Sequence, residues 1–194
     1  MSQEIEIEFK NLLSEKEYTD LLLQYGGSQP NTWRQTNHYA DTPDFKLKQA
    51  GCALRIRMLA GKNECTLKTP YKNHLLETTF YLNDEQAEHM ITSNNLALSE
   101  EMLIQLKDLN ISPQSLQFFG SLTTERFEKE IGGHLVVLDK SFYGNVIDFE
   151  LEIETENEHS GKKFFNDLLQ ANQIPVRKTH NKIKRAMDEW QKGL

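Results

Sequence analysis

From Glu4 to Lys10 the sequence alternates without a break: Glu4-Ile5-Glu6-Ile7-Glu8-Phe9-Lys10. On a β-strand, Ile5, Ile7 and Phe9 share one face, while Glu4, Glu6, Glu8 and Lys10 share the other. Three carboxylates in a row repel one another, and Glu is a poor strand former. Alone, such a stretch reads as a strand with a solvated outer face. Near the other end, however, Asp148-Phe149-Glu150-Leu151-Glu152-Ile153-Glu154 repeats the alternation with the same sign. Two acidic strand faces, each backed by an apolar one, are what a divalent-metal site shared by two strands needs.

At 194 residues the chain suits one domain, residues 1–194, with enough material for a sizeable core. The net charge of −7 argues against a protein that coats nucleic acid, although a cleft can still concentrate cations around an anionic substrate. No apolar run approaches membrane-spanning length, and the N-terminus has no signal-peptide pattern. Cys52 and Cys65 form neither a disulfide framework nor a zinc motif, so a reduced, cytoplasmic setting is expected.

Ser14 and Glu17 form a capping box ahead of Tyr18, Leu21, Leu22 and Tyr25, and Gly26-Gly27 closes that helix. A strand over 33–41 ends in a turn at Thr42-Pro43-Asp44. Residues 53–59 and 64–69 alternate around Ala60-Gly61-Lys62-Asn63 and predict a hairpin. With Gly61-Lys62 as the turn, Arg57 faces Thr66 and Arg55 faces Lys68. A register two residues away keeps the same faces together. Further strands are expected at 77–82, 122–130, 135–138 and 147–155. Helices begin at Asn83 or Asp84, Ser99, Ser112-Pro113 and Ser160, and a last one carries Ile183, Met187 and Trp190.

About eight mostly sequential strands, with helices between them, predict an α+β fold built on an antiparallel β-barrel. At least four strands carry charge on one alternating face. A barrel with an apolar interior would leave the apolar helix stripes nothing to cover. The pattern therefore predicts an inverted barrel, with a charged lumen and helices packed on the apolar outside. A lumen with acidic and basic strips suits a polyphosphate with a divalent metal, because carboxylates and phosphate oxygens share the ion while Arg and Lys neutralise the remaining charge.

The Glu-x-Glu-x-Lys run Glu6-Ile7-Glu8-Phe9-Lys10 is followed, in order, by Tyr39-Ala40-Asp41-Thr42, Leu54-Arg55-Ile56-Arg57, Leu67-Lys68, Arg126, Asp139, Glu150-Leu151-Glu152 and Lys182. This ordered set, over nearly the whole chain, resembles the CYTH-domain proteins of the triphosphate tunnel metalloenzyme superfamily, in particular the short, single-domain bacterial type. The resemblance implies an eight-stranded antiparallel tunnel and a metal-dependent phosphoric anhydride hydrolase acting on inorganic triphosphate or a related organic triphosphate. It further implies that Glu6, Glu8, Glu150 and Glu152 hold Mg²⁺ or Mn²⁺. Lys10, Arg55, Arg57, Lys68, Arg126 and Lys182 would bind the triphosphate. Glu6, Glu8, Lys10 and Asp139 would carry catalysis, Asp139 by orienting a basic residue or a water. Glu77 is a possible further tunnel acid, with Glu4 and Glu154 at the rim. The expected partner is a triphosphate-containing small molecule, with no nucleic acid and no membrane; monomer and homodimer are both open.

Without the resemblance, plainer readings stand beside these. Arg126 could form an exposed ion pair, Asp139 could end a strand, and Lys182 lies in a basic cluster (Arg177, Lys178, Lys184, Arg185) of the kind that solvates a helix face. Tyr39 and Asp41 read as strand-end packing and turn capping, and His38, His134 and His180 form no ligand group. There are departures from the family pattern. Pro70 stands where many members have a second lysine, and His74-Leu75-Leu76 where some have an arginine. A polyphosphate- or nucleotide-binding module without turnover is therefore an alternative. A class IV-type adenylyl cyclase is less favoured, because the His-Phe pair of those enzymes is missing ahead of Glu6.

Overall fold

The computed structural model describes residues 1–190. Among them the chain forms nine strands: β1 (Ser2–Glu6), β2 (Glu8–Leu13), β3 (Thr32–Asp41), β4 (Ala53–Leu59), β5 (Asn63–Tyr71), β6 (His74–Leu82), β7 (Gln117–Ile131), β8 (His134–Tyr143) and β9 (Val146–Glu154). The helices are α1 (Glu15–Gly26), α2 (Lys46–Gln49), α3 (Asp84–Ser93), α4 (Glu100–Asp108), α5 (Glu158–Ala171) and α6 (Lys182–Trp190), with a 3₁₀ turn at Pro113–Ser115. These sort into two compact units. One comprises Met1–Glu6 and Gln35–Ser121; the other comprises Ile7–Arg34 and the chain from Leu122 on.

In the first unit, antiparallel pairing runs β1-β6-β5-β4-β3. Leu54, Ile56, Cys65 and Leu67 face one way and pack with Leu47 of α2, Ala87 and Met90 of α3, and Met102 and Leu106 of α4. Each leucine, isoleucine or methionine enclosed this way contributes about 1.5–3 kcal/mol over leaving it in water. The alternate positions, Arg55, Arg57, Glu64, Thr66, Lys68 and Glu77, lie on the opposite face. In the second unit the order is β7-β8-β9-β2, again antiparallel. Val136, Leu138, Leu151 and Ile153 pack with Tyr18 and Leu21 of α1 and Phe165, Leu168 and Leu169 of α5. In both units the sequence alternation thus separates a helix-covered apolar face from a charged one.

The helix signals act as read. Ser14 and Glu17 complete the capping box of α1, and Gly27 ends it at φ +72°, in the left-handed region. Asn83 and Gln86 form a second capping box on α3. The expected helix at Ser160 begins earlier, because Asn157 caps α5 by accepting from the Ser160 backbone N–H at 3.0 Å.

Three features differ from the sequence reading. The first acidic stretch is two strands, which makes nine in place of eight. From Ser2 to Glu6 its partner is β6, and from Glu8 onward its partner is β9. Ile7 lies at the handover, its carbonyl accepting from Thr155 N–H at 3.0 Å. The β4–β5 hairpin takes the shifted register, with Arg57 opposite Glu64 and Arg55 opposite Thr66. This exchanges a facing Arg–Lys pair for an Arg57–Glu64 ion pair at 3.1 Å. The turn is also fixed by Asn63, whose Oδ1 accepts from Leu59 N–H at 3.1 Å. The short helix α2 is the third. Asp41 organises it by accepting from the N–H groups of Thr42, Leu47 and Lys48 at 2.7, 2.8 and 3.0 Å, so its turn-capping role extends to a helix.

Candidate functional site

On the charged face of the second unit, strand register sets side chains out in rungs. Arg126, Asp139 and Glu150 lie side by side across β7, β8 and β9. One rung along, Glu152 stands opposite Lys10, and beyond it Glu154 stands opposite Glu8. Arg126 grips Asp139 with Nε and Nη2 at 2.8 and 2.6 Å, and its Nη2 also donates to Glu152 at 3.0 Å. Lys10 pairs with Glu8. Asp139 and Glu150 are both 0 % exposed. A charge enclosed to that degree survives only with partners.

Helix α6 supplies them. Lys182 Nζ contacts Asp139, lies 3.1 Å from Glu150 Oε2 and 3.3 Å from Glu152 Oε1. Three residues on, and so on the same side of the helix, Arg185 donates Nη1 and Nη2 to the two oxygens of Glu150 at 3.0 and 3.2 Å. Its Nε donates to Asp148 at 2.8 Å. Tyr143 also donates to Asp148.

Electrostatics follow from this packing. Burial works to raise the Asp139 pKa, but Arg126 and Lys182 outweigh it and hold the carboxyl below its ordinary value. At Glu150 burial wins over Lys182 and Arg185, and the pKa moves up. Burial would lower Lys182, yet Asp139, Glu152 and Glu150 raise it well above the usual lysine value. Lys10 rises for the same reason, with Glu8 foremost among the carboxylates opposing its burial. Glu154, enclosed beside Glu152, Glu128 and Glu8, is pushed up to about 7, chiefly by burial and in spite of Arg126.

The charged face of the first unit gathers Glu6, Lys68 and Glu77. Lys68 Nζ contacts both Glu6 oxygens, at 2.7 and 2.8 Å, and also pairs with Glu77. Burial would raise Glu77, but Lys68 and then Arg55 hold it down at about 2. Arg57 bridges Asn37 and Glu64 at 3.0 and 3.1 Å. Arg55 differs from its neighbours: its buried Nε has no hydrogen-bond partner. A buried donor without an acceptor costs about 1–3 kcal/mol, and an anion oxygen placed there removes that cost.

The remaining sequence candidates have structural surroundings. Tyr39 is buried in β3. His38 meets Phe118 edge-on at 6.5 Å. His134 lies 2.9 Å from Thr155 Oγ1 and against the Phe164 ring. His180 offers its carbonyl to Arg185 at 2.6 Å. Glu4 is exposed opposite Glu77, and Pro70 is exposed in β5. Sequence reasoning assigned no role to Arg185, Asp148 or Glu64. The spacing of Lys182 and Arg185 was the available signal for the first, hidden by the neighbouring basic residues.

The donors fit a divalent metal in kind, since they are carboxylates throughout, the ligands hard cations prefer. Among the described residues no three Asp, Glu, His or Cys side chains converge as a cage. Magnesium seldom uses one; it takes one or two protein carboxylates and completes its shell with water and phosphate oxygens.

The model of the CYTH domain family matches residues 4–187. A protein of Bacillus subtilis (strain 168) named "Putative triphosphatase YjbK" is 42% identical over 195 residues, covering 100% of both chains. The crystal structure of a protein from Bacillus halodurans described as a putative adenylate cyclase is similar at TM-score 0.90 and 35% identity, over 95% of this chain and 98% of that one. A Hippeastrum protein, HpAC1, described as a putative adenylyl cyclase with a dominant triphosphatase activity, shares the fold at TM-score 0.75 and 19% identity, over 95% of each chain. Antiparallel sheet, separated charged and apolar faces and helices on the apolar side are those of the tunnel fold, and the chain belongs to the CYTH family.

Proposed function

We propose that the protein hydrolyses the terminal phosphoanhydride bond of inorganic triphosphate or a related organic triphosphate, with Mg²⁺ or Mn²⁺ as cofactor. The name of the Bacillus subtilis relative supports the reaction class. The observation that carries the reading is Arg55, a cation whose enclosed Nε lacks an acceptor on a face otherwise organised by ion pairs. Such a donor is ready for a phosphate oxygen.

In the second unit, Glu8, Glu150 and Glu152 would hold the metal, and Lys10, Arg126 and Lys182 would neutralise phosphate oxygens. In the first, Glu6 would serve as a metal ligand and Arg55, Arg57 and Lys68 as phosphate ligands. When bound, the metal supplies charge neutralisation on the phosphates and lowers the pKa of a coordinated water. The protein's own contribution is positioning and electrostatic stabilisation, which phosphoryl transfer chiefly requires. Asp139 has both oxygens occupied by Arg126 and Lys182, which supports a role in orienting those cations over one in orienting water.

Purified protein with either metal should release phosphate from inorganic triphosphate, and Glu6→Ala and Glu150→Ala should abolish the release. Wild-type rates in both variants would overturn the metal assignment. Pro70 favours a second reading, a polyphosphate-binding module without efficient turnover, because proline leaves that position of β5 without a cation. Calorimetric binding with no phosphate released over long incubation would select it. Pyrophosphate release from ATP would instead reveal the cyclase activity named for the Bacillus halodurans protein.

A further inference from the structure

Counting charges on the buried part of the second unit's sheet gives three carboxylates, Asp139, Glu150 and Glu152. Lys182 meets all three, and Arg126 meets Asp139 and Glu152. The third cation is Arg185. Its guanidinium makes five contacts. Two go to the oxygens of Glu150, one to Asp148, one to Thr179 Oγ1 at 3.0 Å and one to the His180 carbonyl at 2.6 Å. The last two lie in the segment that leads into α6, and Asn181 then caps that helix through Lys184 N–H at 3.2 Å. Arg185 therefore fixes the approach of α6 and neutralises the carboxylate that Lys182 also touches.

We infer that Arg185 is a positioning residue for Lys182, balancing Glu150 and bracing residues 179–180 so that the Lys182 ammonium is set between Asp139 and Glu152. Removing Arg185 leaves the enclosed Glu150, among the described residues, in ion-pair contact with Lys182 alone. The ammonium is then drawn toward Glu150 and away from a phosphate oxygen. A planar fork is needed to span three carboxylate oxygens, the Thr179 hydroxyl and the His180 carbonyl, which a lysine ammonium does not reproduce. This inference rests on the reading of Lys182 as a triphosphate ligand.

The test is a double-mutant cycle on binding, followed by calorimetry with inorganic triphosphate, on unaltered protein, Arg185→Gln, Lys182→Ala and the double variant. Circular dichroism melting accompanies each. Arg185→Gln alone should weaken binding about tenfold or more, and the same change made on Lys182→Ala should alter it by less than about twofold, because residues sharing a partner do not act independently. Arg185→Lys should remain weakened although it keeps the charge. It replaces Arg185→Gln in the cycle if that variant does not fold. Losses that multiply, or full recovery in Arg185→Lys, overturn the assignment of Arg185 alone. Absence of binding by the unaltered protein overturns the functional reading itself, and this inference with it.

Discussion

Arg126 holds Asp139 through two parallel hydrogen bonds, Nε to Oδ1 at 2.8 Å and Nη2 to Oδ2 at 2.6 Å, and no part of Asp139 reaches solvent. Removing one charge of a buried pair leaves the other uncompensated, at a cost of about 3–5 kcal/mol. Asp139→Asn should therefore unfold at lower denaturant concentration than the unaltered protein by roughly that free energy, and it should lose most phosphate release. A variant with unchanged stability would show that the pair is dispensable.

Arg55→Met keeps the side chain as far as the position of Nε and removes the donor that has no acceptor. If that donor awaits a phosphate oxygen, KM for triphosphate should rise about tenfold or more, the value of a charge-assisted hydrogen bond. Unchanged KM would remove Arg55 from the phosphate ligands.

Two carboxylates give opposite pH dependences. Glu17 is held down at about 2, chiefly by hydrogen bonding from Arg177 at 2.8 and 2.9 Å. Its folded pKa lies below the unfolded value, so its stabilisation is present above about pH 4.5 and fades as the pH falls toward 2. With a partly exposed partner the amount is about 1 kcal/mol. Glu154, raised to about 7, is stabilising in its protonated form, so stability declines as the pH rises from about 4.5 to 7. In metal-free buffer, Glu17→Gln should flatten the acid side of the stability profile and Glu154→Gln the stretch below neutrality. Profiles that coincide with the unaltered protein's would contradict both.

Gly161 is helical and buried where α5 crosses Thr155, and a Cβ there would come within 2.4 Å of Thr155 Cγ2. Gly161→Ala should destabilise by about 1–3 kcal/mol despite alanine's better helix propensity, because the crowding outweighs that gain. Denaturant titration reads the sign directly.

The alternation of residues 4–10 and 148–154, the capping residues Ser14, Asn83 and Ser99, and the glycine turn at Gly61 were all legible, because each depends on near neighbours. The break at Ile7 was not. Alternation continues unchanged through it, and only the choice of pairing partner differs, which is a tertiary matter. The β4–β5 register is accompanied by the Arg57–Glu64 ion pair and the Asn63 hydrogen bond to Leu59, neither of which period-two patterning can weigh. Lys182 came from the family resemblance, and Arg185 was masked by its basic neighbours; what sets the two apart is that buried carboxylates meet them, whereas Lys184 pairs with exposed Asp188 at 3.1 Å.

The handover at Ile7 also limits which length changes the gene can accept. Downstream of it, Glu8 and Lys10 alternate with Phe9 and Asn11 along a ladder with β9. Adding or deleting one residue between Ile7 and Leu13 would move every later side chain of that strand to the opposite face, whereas adding or deleting two would restore the parity. Natural variation in this segment should therefore come in even steps.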